Sequence, residues 1–94
     1  MAPDGTTIEL GDTYAQTMAC LQSSIVAIEN LGGSKADVLR TRIMLTDISN
    51  WEAAAKAHGT YFGDVQPACT FVEVTGFIRA EWLVETEIDA ICAV

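Results

Sequence analysis

Basic residues are scarce in this chain. Lys35, Arg40, Arg42, Lys56 and Arg79 stand against thirteen aspartates and glutamates, for a formal net charge of −8. Nucleic-acid binding draws much of its free energy from lysine and arginine displacing counterions. No stretch clusters them here, so nucleic acid is a poor partner, and an anionic membrane surface is disfavoured for the same reason. Histidine is scarcer still, with His58 alone. One histidine and no Cys-x-x-Cys pair argue against a zinc site. Cys20, Cys69 and Cys92 are odd in number and far apart, which reads as free thiols, packed as small hydrophobes, in a reducing compartment. No apolar run approaches the ~20 residues of a membrane helix. Nor does a basic segment followed by an apolar one open the chain. The expectation is a cytoplasmic protein with no membrane partner, no metal and no cofactor, acting on a small molecule or another protein.

What is present is enough for one globular domain over residues 1–94. Half of the residues are hydrophobic, and neither repeats nor a linker divide them. Residues 1–11 read as a loop, with a Pro-Asp-Gly turn signal and a short extended piece at Thr7–Leu10. The core, 12–94, starts with a helix. Asp12 or Thr13 caps it, and Tyr14, Met18, Leu21, Ile25 and Ile28 fall on one helical stripe. Gly32-Gly33 ends it.

Val38–Thr46 alternates and is read as a strand, with Leu39, Thr41, Ile43 and Leu45 on one face and Arg40, Arg42 and Met44 on the other. Ser49-x-x-Glu52 has the spacing of a capping box and opens a second helix, whose inner face is expected to carry Trp51, Ala55, His58 and Phe62. Two further strands are read at Thr70–Thr75 and Leu83–Cys92. In the first, Thr70, Val72 and Val74 oppose Cys69, Phe71 and Glu73. In the last, Val84, Thr86, Ile88 and Ala90 oppose Glu85, Glu87 and Asp89. The order helix, strand, helix, strand, strand is an α+β pattern with both helices on one face of a sheet. The other face is expected to gather Arg40, Arg42, Glu73, Glu85, Glu87 and Asp89 beside Met44, Phe71 and Ile91. Arginines and carboxylates there are expected to pair across strands. Mixed charge beside apolar groups suits a self-associating surface.

One short stretch raises a chemical question. In Gln66-Pro67-Ala68-Cys69-Thr70-Phe71, a thiol sits where a loop becomes a strand, a common place for a functional side chain. A nucleophilic cysteine needs a base or a positive field. The sequence places His58 on a helix and gives no reason to put it beside Cys69, which therefore reads as a lining or packing residue.

These residues also carry a resemblance. Leu31-Gly32-Gly33, Asp37-Val38-Leu39-Arg40-Thr41, Leu45-Thr46-Asp47-Ile48, Tyr61-Phe62, Pro67-Ala68, Val72-Glu73-Val74 and Glu87-Ile88-Asp89-Ala90-Ile91 occur in the order and spacing of the Rid family (reactive intermediate deaminases, also called YjgF or endoribonuclease L-PSP). The chain resembles that family from about Gly11 to its C-terminus. The resemblance implies a chorismate-mutase-like mixed sheet backed by two helices, assembled as a homotrimer with small-molecule clefts between subunits. Family members begin with two more strands. The sequence begins near the loop that follows them, so the resemblance implies a domain shortened at its N-terminus.

The activity implied is hydrolysis of reactive enamines and imines to a keto acid and ammonia, with no metal or organic cofactor. Residue by residue the match is partial. Glu87 falls on the glutamate that holds the attacking water. The arginine that grips the substrate carboxylate follows Pro-Ala in the family, and here that place is Cys69. Phe71 stands where the family has a smaller residue, and Ala55 lies in the region of a helical asparagine. Ala68, Cys69 and Phe71 are thus the expected cleft residues and Glu87 the expected acid/base, with an altered activity or substrate. Arg42 and Arg79 remain as anion-binding candidates, and the sequence does not choose between them. A non-catalytic trimer binding a small metabolite is the alternative. A ribonuclease, suggested by the family's older label, is remote because the chain is so acidic.

Overall fold

A computed structural model describes residues 11–92. The extended piece expected at Thr7–Leu10 lies outside the described residues. Helix α1, Thr13–Asn30, starts where Asp12 leaves extended backbone and its carboxylate accepts the Ala15 N–H at 2.9 Å. That is an N-cap: it satisfies one of the donors that a helix start leaves open. The helix ends in a Schellman motif. Gly32 N–H donates to the Glu29 carbonyl and Gly33 N–H to the Ile28 carbonyl, both at 3.0 Å. Gly32 adopts φ +95°, which side chains resist. Gly33 is held to glycine by space instead, since a Cβ there would collide with Cys92 Sγ and the Ile28 side chain.

The buried stripe of α1 is Thr13, Gln16, Thr17, Leu21 and Ile25. Tyr14 and Met18, expected on it, are half-buried at its flanks. The stripe accepts polar residues because each finds a partner. Thr17 donates its hydroxyl to the Thr13 carbonyl at 2.7 Å. The Gln16 amide donates to the Glu81 carbonyl at 3.1 Å and accepts the Leu83 N–H at 2.9 Å, clamping the last connection of the chain to the helix.

Three strands form the sheet in the order β2-β1-β3. Strand β1, Val38–Leu45, is central; β2, Ala68–Glu73, runs parallel to it and β3, Val84–Ala90, antiparallel. The second helix, α2, spans Trp51–Phe62 and supplies the crossover that a parallel pair requires. Leu21, Ile25, Val38 and Phe62 make one buried cluster; Ile43, Leu45, Ala54 and Val84 make another, and Cys20, Cys69 and Phe71 pack on its edge. The fold is α+β, with two helices on a mixed three-stranded sheet.

Several expected faces shift. Between Val38 and Arg40 the register of β1 against β3 slips, so Val38 is buried and Leu39, expected inside, is 54% exposed. A local irregularity of this kind reverses which residues face the core. In α2 the buried residues are Ala54, Ala57 and Phe62, His58 and Ala55 are half-buried, and Trp51 is 48% exposed. The cause lies upstream. The Ser49–Glu52 capping box does not form, because Asp47 takes the Ser49 N–H at 2.9 Å and its hydroxyl at 2.6 Å. A 3₁₀ turn at Ile48–Asn50 then precedes α2 and changes the phase of its stripe. Phe71 moves as well. It pairs with Ile43, as Cys69 pairs with Thr41, so both lie on the helix-covered face and not on the charged one. Glu73 is in register with Leu45, and its carboxylate turns back to accept the Ile48 N–H at 2.9 Å. The last strand ends at Ala90, leaving Ile91 exposed just beyond it.

Candidate functional site

The outer sheet face carries a ladder of opposite charges. Arg40 and Arg42 on β1 stand in register with Asp89 and Glu87 on β3. Such alternation follows from strand geometry, which sends every second side chain to one face. Arg40 donates from Nε at 2.9 Å and from Nη2 at 2.6 Å, both to Asp89 Oδ2. Arg42 makes one longer contact, Nη1 to Glu87 Oε1 at 3.3 Å. These groups and Thr41 line a shallow groove of about 50 Å³. The cross-strand pairing expected from the sequence is therefore present.

On the opposite face, Thr41 is fully buried and ties two other groups together. Its Oγ1 lies 2.9 Å from His58 Nε2 and donates to the Ala68 carbonyl at 3.5 Å, and Thr41 is the register partner of Cys69 on β2. Burial holds His58 below the ordinary histidine range. Burial pushes the Cys69 thiol up, and the neighbouring Thr41 hydroxyl opposes that. At neutral pH the thiol, the hydroxyl and the imidazole are thus all neutral. Cys69 and His58, which the sequence gave no reason to join, both border Thr41, a residue not singled out as functional. Only the register of β2 against β1 reveals it.

Glu87 and the pair Cys69 and Phe71 are not brought together within one chain. Glu87 is exposed on the outer face of β3; Cys69 and Phe71 are half-buried on the inner face of β2, with β1 between. Ala68 is exposed at the start of β2, in register with Arg40. Among the described residues, no three of His, Cys, Asp or Glu form a group that could hold a metal ion. No helix among them is long and apolar enough to cross a membrane.

The fold belongs to a known class. The profile of the endoribonuclease L-PSP family matches residues 1–92, and the chain is a member of that family. It is 35% identical over 80 residues to an uncharacterized protein of Streptomyces coelicolor, covering 85% of this chain and 60% of that protein. It is 32% identical over 78 residues to the 3-aminoacrylate deaminase RutC of Acinetobacter baylyi, covering 83% of this chain and 61% of that one. The chain therefore spans about three fifths of the length of these relatives. Among solved structures, Rv2704 of Mycobacterium tuberculosis, a member of the YjgF/YER057c/UK114 family, superposes with a TM-score of 0.81 at 43% identity, covering 85% of this chain and 69% of that one. YyfB of Yersinia pestis, a Rid-family protein of unknown function, gives 0.82 at 27% identity, covering 98% and 71%.

Proposed function

We propose that this protein is a hydrolase of small imines or enamines of the Rid type, working as a homotrimer with its sites between subunits. The observation that carries the reading is Glu87: an exposed carboxylate beside a guanidinium, on an outer sheet face free to meet a second copy. Likeness to a 3-aminoacrylate deaminase supports the same chemistry. Glu87 takes a proton from water as the oxygen bonds to the imine carbon, and the C=N π electrons move to nitrogen. Nitrogen receives that proton; the new hydroxyl then gives its own proton through Glu87 to the same nitrogen, the C–N bond breaks, and ammonia leaves as the carbonyl forms. Water is the only co-reactant. Separation of Glu87 from Cys69 within one chain fits a site completed by a neighbouring copy.

A second reading, a non-catalytic trimer that holds a small metabolite, is favoured by the half-buried thiol at Cys69, which cannot fork onto a carboxylate as a guanidinium does. A ribonuclease is opposed by the net charge of −8.

The test is to generate 2-aminoacrylate or 2-iminobutanoate in situ and follow its decay with purified protein. Faster decay, abolished in Glu87→Gln, is expected. No acceleration at high protein concentration would sink the hydrolase reading. Cys69→Arg then separates the causes: rising activity points to the missing arginine alone. Light scattering reads the assembly, and a monomer at working concentration overturns the trimer.

A further inference from the structure

We infer that the buried hydroxyl of Thr41 is a two-way switch between α2 and the entrance of β2, thrown by protonation of His58. The switch acts on the segment that carries Ala68 and Cys69, and it is independent of the hydrolase reading.

Two groups converge on one buried oxygen. Thr41 Oγ1 lies 2.9 Å from His58 Nε2 and 3.5 Å from the Ala68 carbonyl oxygen. A hydroxyl has one proton to give and lone pairs to accept with. A neutral ring permits two arrangements. With the ring proton on Nδ1, the hydroxyl donates to Nε2 and gives nothing to Ala68. With the ring proton on Nε2, the ring donates to the hydroxyl, which turns its own proton to β2. An imidazolium carries protons on both nitrogens, so only the second arrangement survives protonation. The distances show where this acts. The contact to His58 has an ordinary length, whereas 3.5 Å to Ala68 is at the long limit, where such bonds are weak. Committing the proton to β2 therefore strengthens the slacker contact.

The entrance of β2 is a place where one bond counts. Pro67, just before the strand, has no N–H to give. The turn from α2 is closed by the Val65 N–H on the Phe62 carbonyl at 3.0 Å. Ala68 then opens the strand in register with Arg40 and is itself exposed.

The surroundings of His58 leave Thr41 as the group that responds. On β1, Arg40 and Arg42 flank Thr41 but bind Asp89 and Glu87 on the outer face. On β2 the titratable neighbour is Cys69, whose thiol burial keeps protonated at neutral pH. Helix α1 buries an uncharged stripe, with the Cys20 thiol at its flank. Within α2, Phe62 packs on the imidazole at 4.7 Å, and Glu52 and Lys56 are exposed. Burial favours the neutral ring, so the switch is thrown below the ordinary histidine value of 6.5.

An NMR titration of carbon-13 and nitrogen-15 labelled protein from pH 8 to pH 5 tests the switch. The ring nitrogens of His58 report its tautomer and its protonation. The Ala68 carbonyl carbon, read through the Cys69 amide, reports the bond from Thr41. In wild type that carbon is expected to move downfield on acidification, with the midpoint of His58. Thr41→Ser keeps the hydroxyl and should keep the shift. Thr41→Val should lose it although His58 still titrates. A through-space effect of the imidazolium would survive valine, so an equal shift in Thr41→Val overturns the inference. An Ala68 carbon that stays flat in wild type while His58 titrates overturns it as well. His58→Gln should hold the Ala68 carbon flat, and a shift that persists there assigns the switch to another group and overturns it. Should Thr41→Val fail to fold, Thr41→Ala takes its place: a lost shift supports the switch and an unchanged one overturns it.

Discussion

Thr41 Oγ1 stands 2.9 Å from His58 Nε2 and 3.5 Å from the Ala68 carbonyl, so one buried hydroxyl joins a helix to two adjacent strands beside Cys69. The hydroxyl carries a single proton. When Thr41 donates to the Ala68 carbonyl, His58 keeps its proton on Nε2 and donates to Thr41. A hydroxyl beside the sulfur favours the thiolate. Replacing Thr41 with valine, nearly equal in shape, therefore removes what opposes the burial-driven rise of the Cys69 pKa. Cys69 is expected to alkylate with iodoacetamide more slowly than a free thiol in wild type, and more slowly again in Thr41→Val. Peptide mass spectrometry reads the rate at Cys69 separately from Cys20 and Cys92. A faster Cys69 in Thr41→Val would contradict that effect of the hydroxyl.

The same chain makes stability depend on pH. Burial lowers the His58 pKa in the folded state, so near the ordinary histidine value of ~6.5 the unfolded chain binds more protons. Stability is then full above that value, starts to fall as pH drops through it, and has lost the whole His58 contribution below the folded pKa. Urea midpoints should decrease between pH 7.5 and pH 5.0 in wild type. The decrease should be smaller in His58→Gln, whose amide does not titrate. Equal decreases in the two proteins would place the acid sensitivity elsewhere.

Much of the scaffold was legible because its signals are local. Asp12 at the helix start, Gly32-Gly33 at its end and the alternation of Arg40 and Arg42 each need only neighbouring residues, and each is where the pattern put it. The errors concern phase. Val38–Thr46 alternates whichever way it is counted, and the slip between Val38 and Arg40 exchanges Leu39 for Val38 at the core. Both faces of Cys69–Val74 hold apolar residues, so nothing local assigns Phe71 to the helices. The Ser49–Glu52 signal loses to Asp47, which reaches Ser49 first through a tighter turn. For the site, the resemblance pointed to Glu87 and to the exceptional Cys69. The links Thr41–Cys69 and Arg42–Glu87 are register facts, created by long-range pairing that composition does not encode.

Gln16 gives a prediction about the connection between β2 and β3. Its buried amide is satisfied from both ends by the Glu81 carbonyl and the Leu83 N–H. Gln16→Leu keeps apolar volume but removes both of these hydrogen bonds. Each unsatisfied buried group costs about 1–3 kcal/mol, less where water reaches it. Unfolding free energy in urea should therefore fall by about 1–3 kcal/mol, and limited proteolysis should cut first within residues 76–83. Unchanged stability together with unchanged proteolysis would show that water replaces the amide at no cost.

Gly33 gives the most specific structural test, because the predicted clash names its partner. A Cβ at this position meets Cys92 Sγ and Ile28 Cγ2 inside contact distance, while the backbone there is not in the left-handed region. Gly33→Ala should therefore destabilise by overpacking, about 1–3 kcal/mol, rather than by strained φ. Shrinking the sulfur side should relieve much of it. In a double-mutant cycle, Cys92→Ala combined with Gly33→Ala is expected to recover a substantial part of the loss, as a coupling energy of about 0.5–3 kcal/mol. Recovery remains incomplete because Ile28 stays in place. Strict additivity would mean that Cys92 does not pack on Gly33 in solution, and that the seam where the end of the last strand meets the end of α1 is looser than this packing requires.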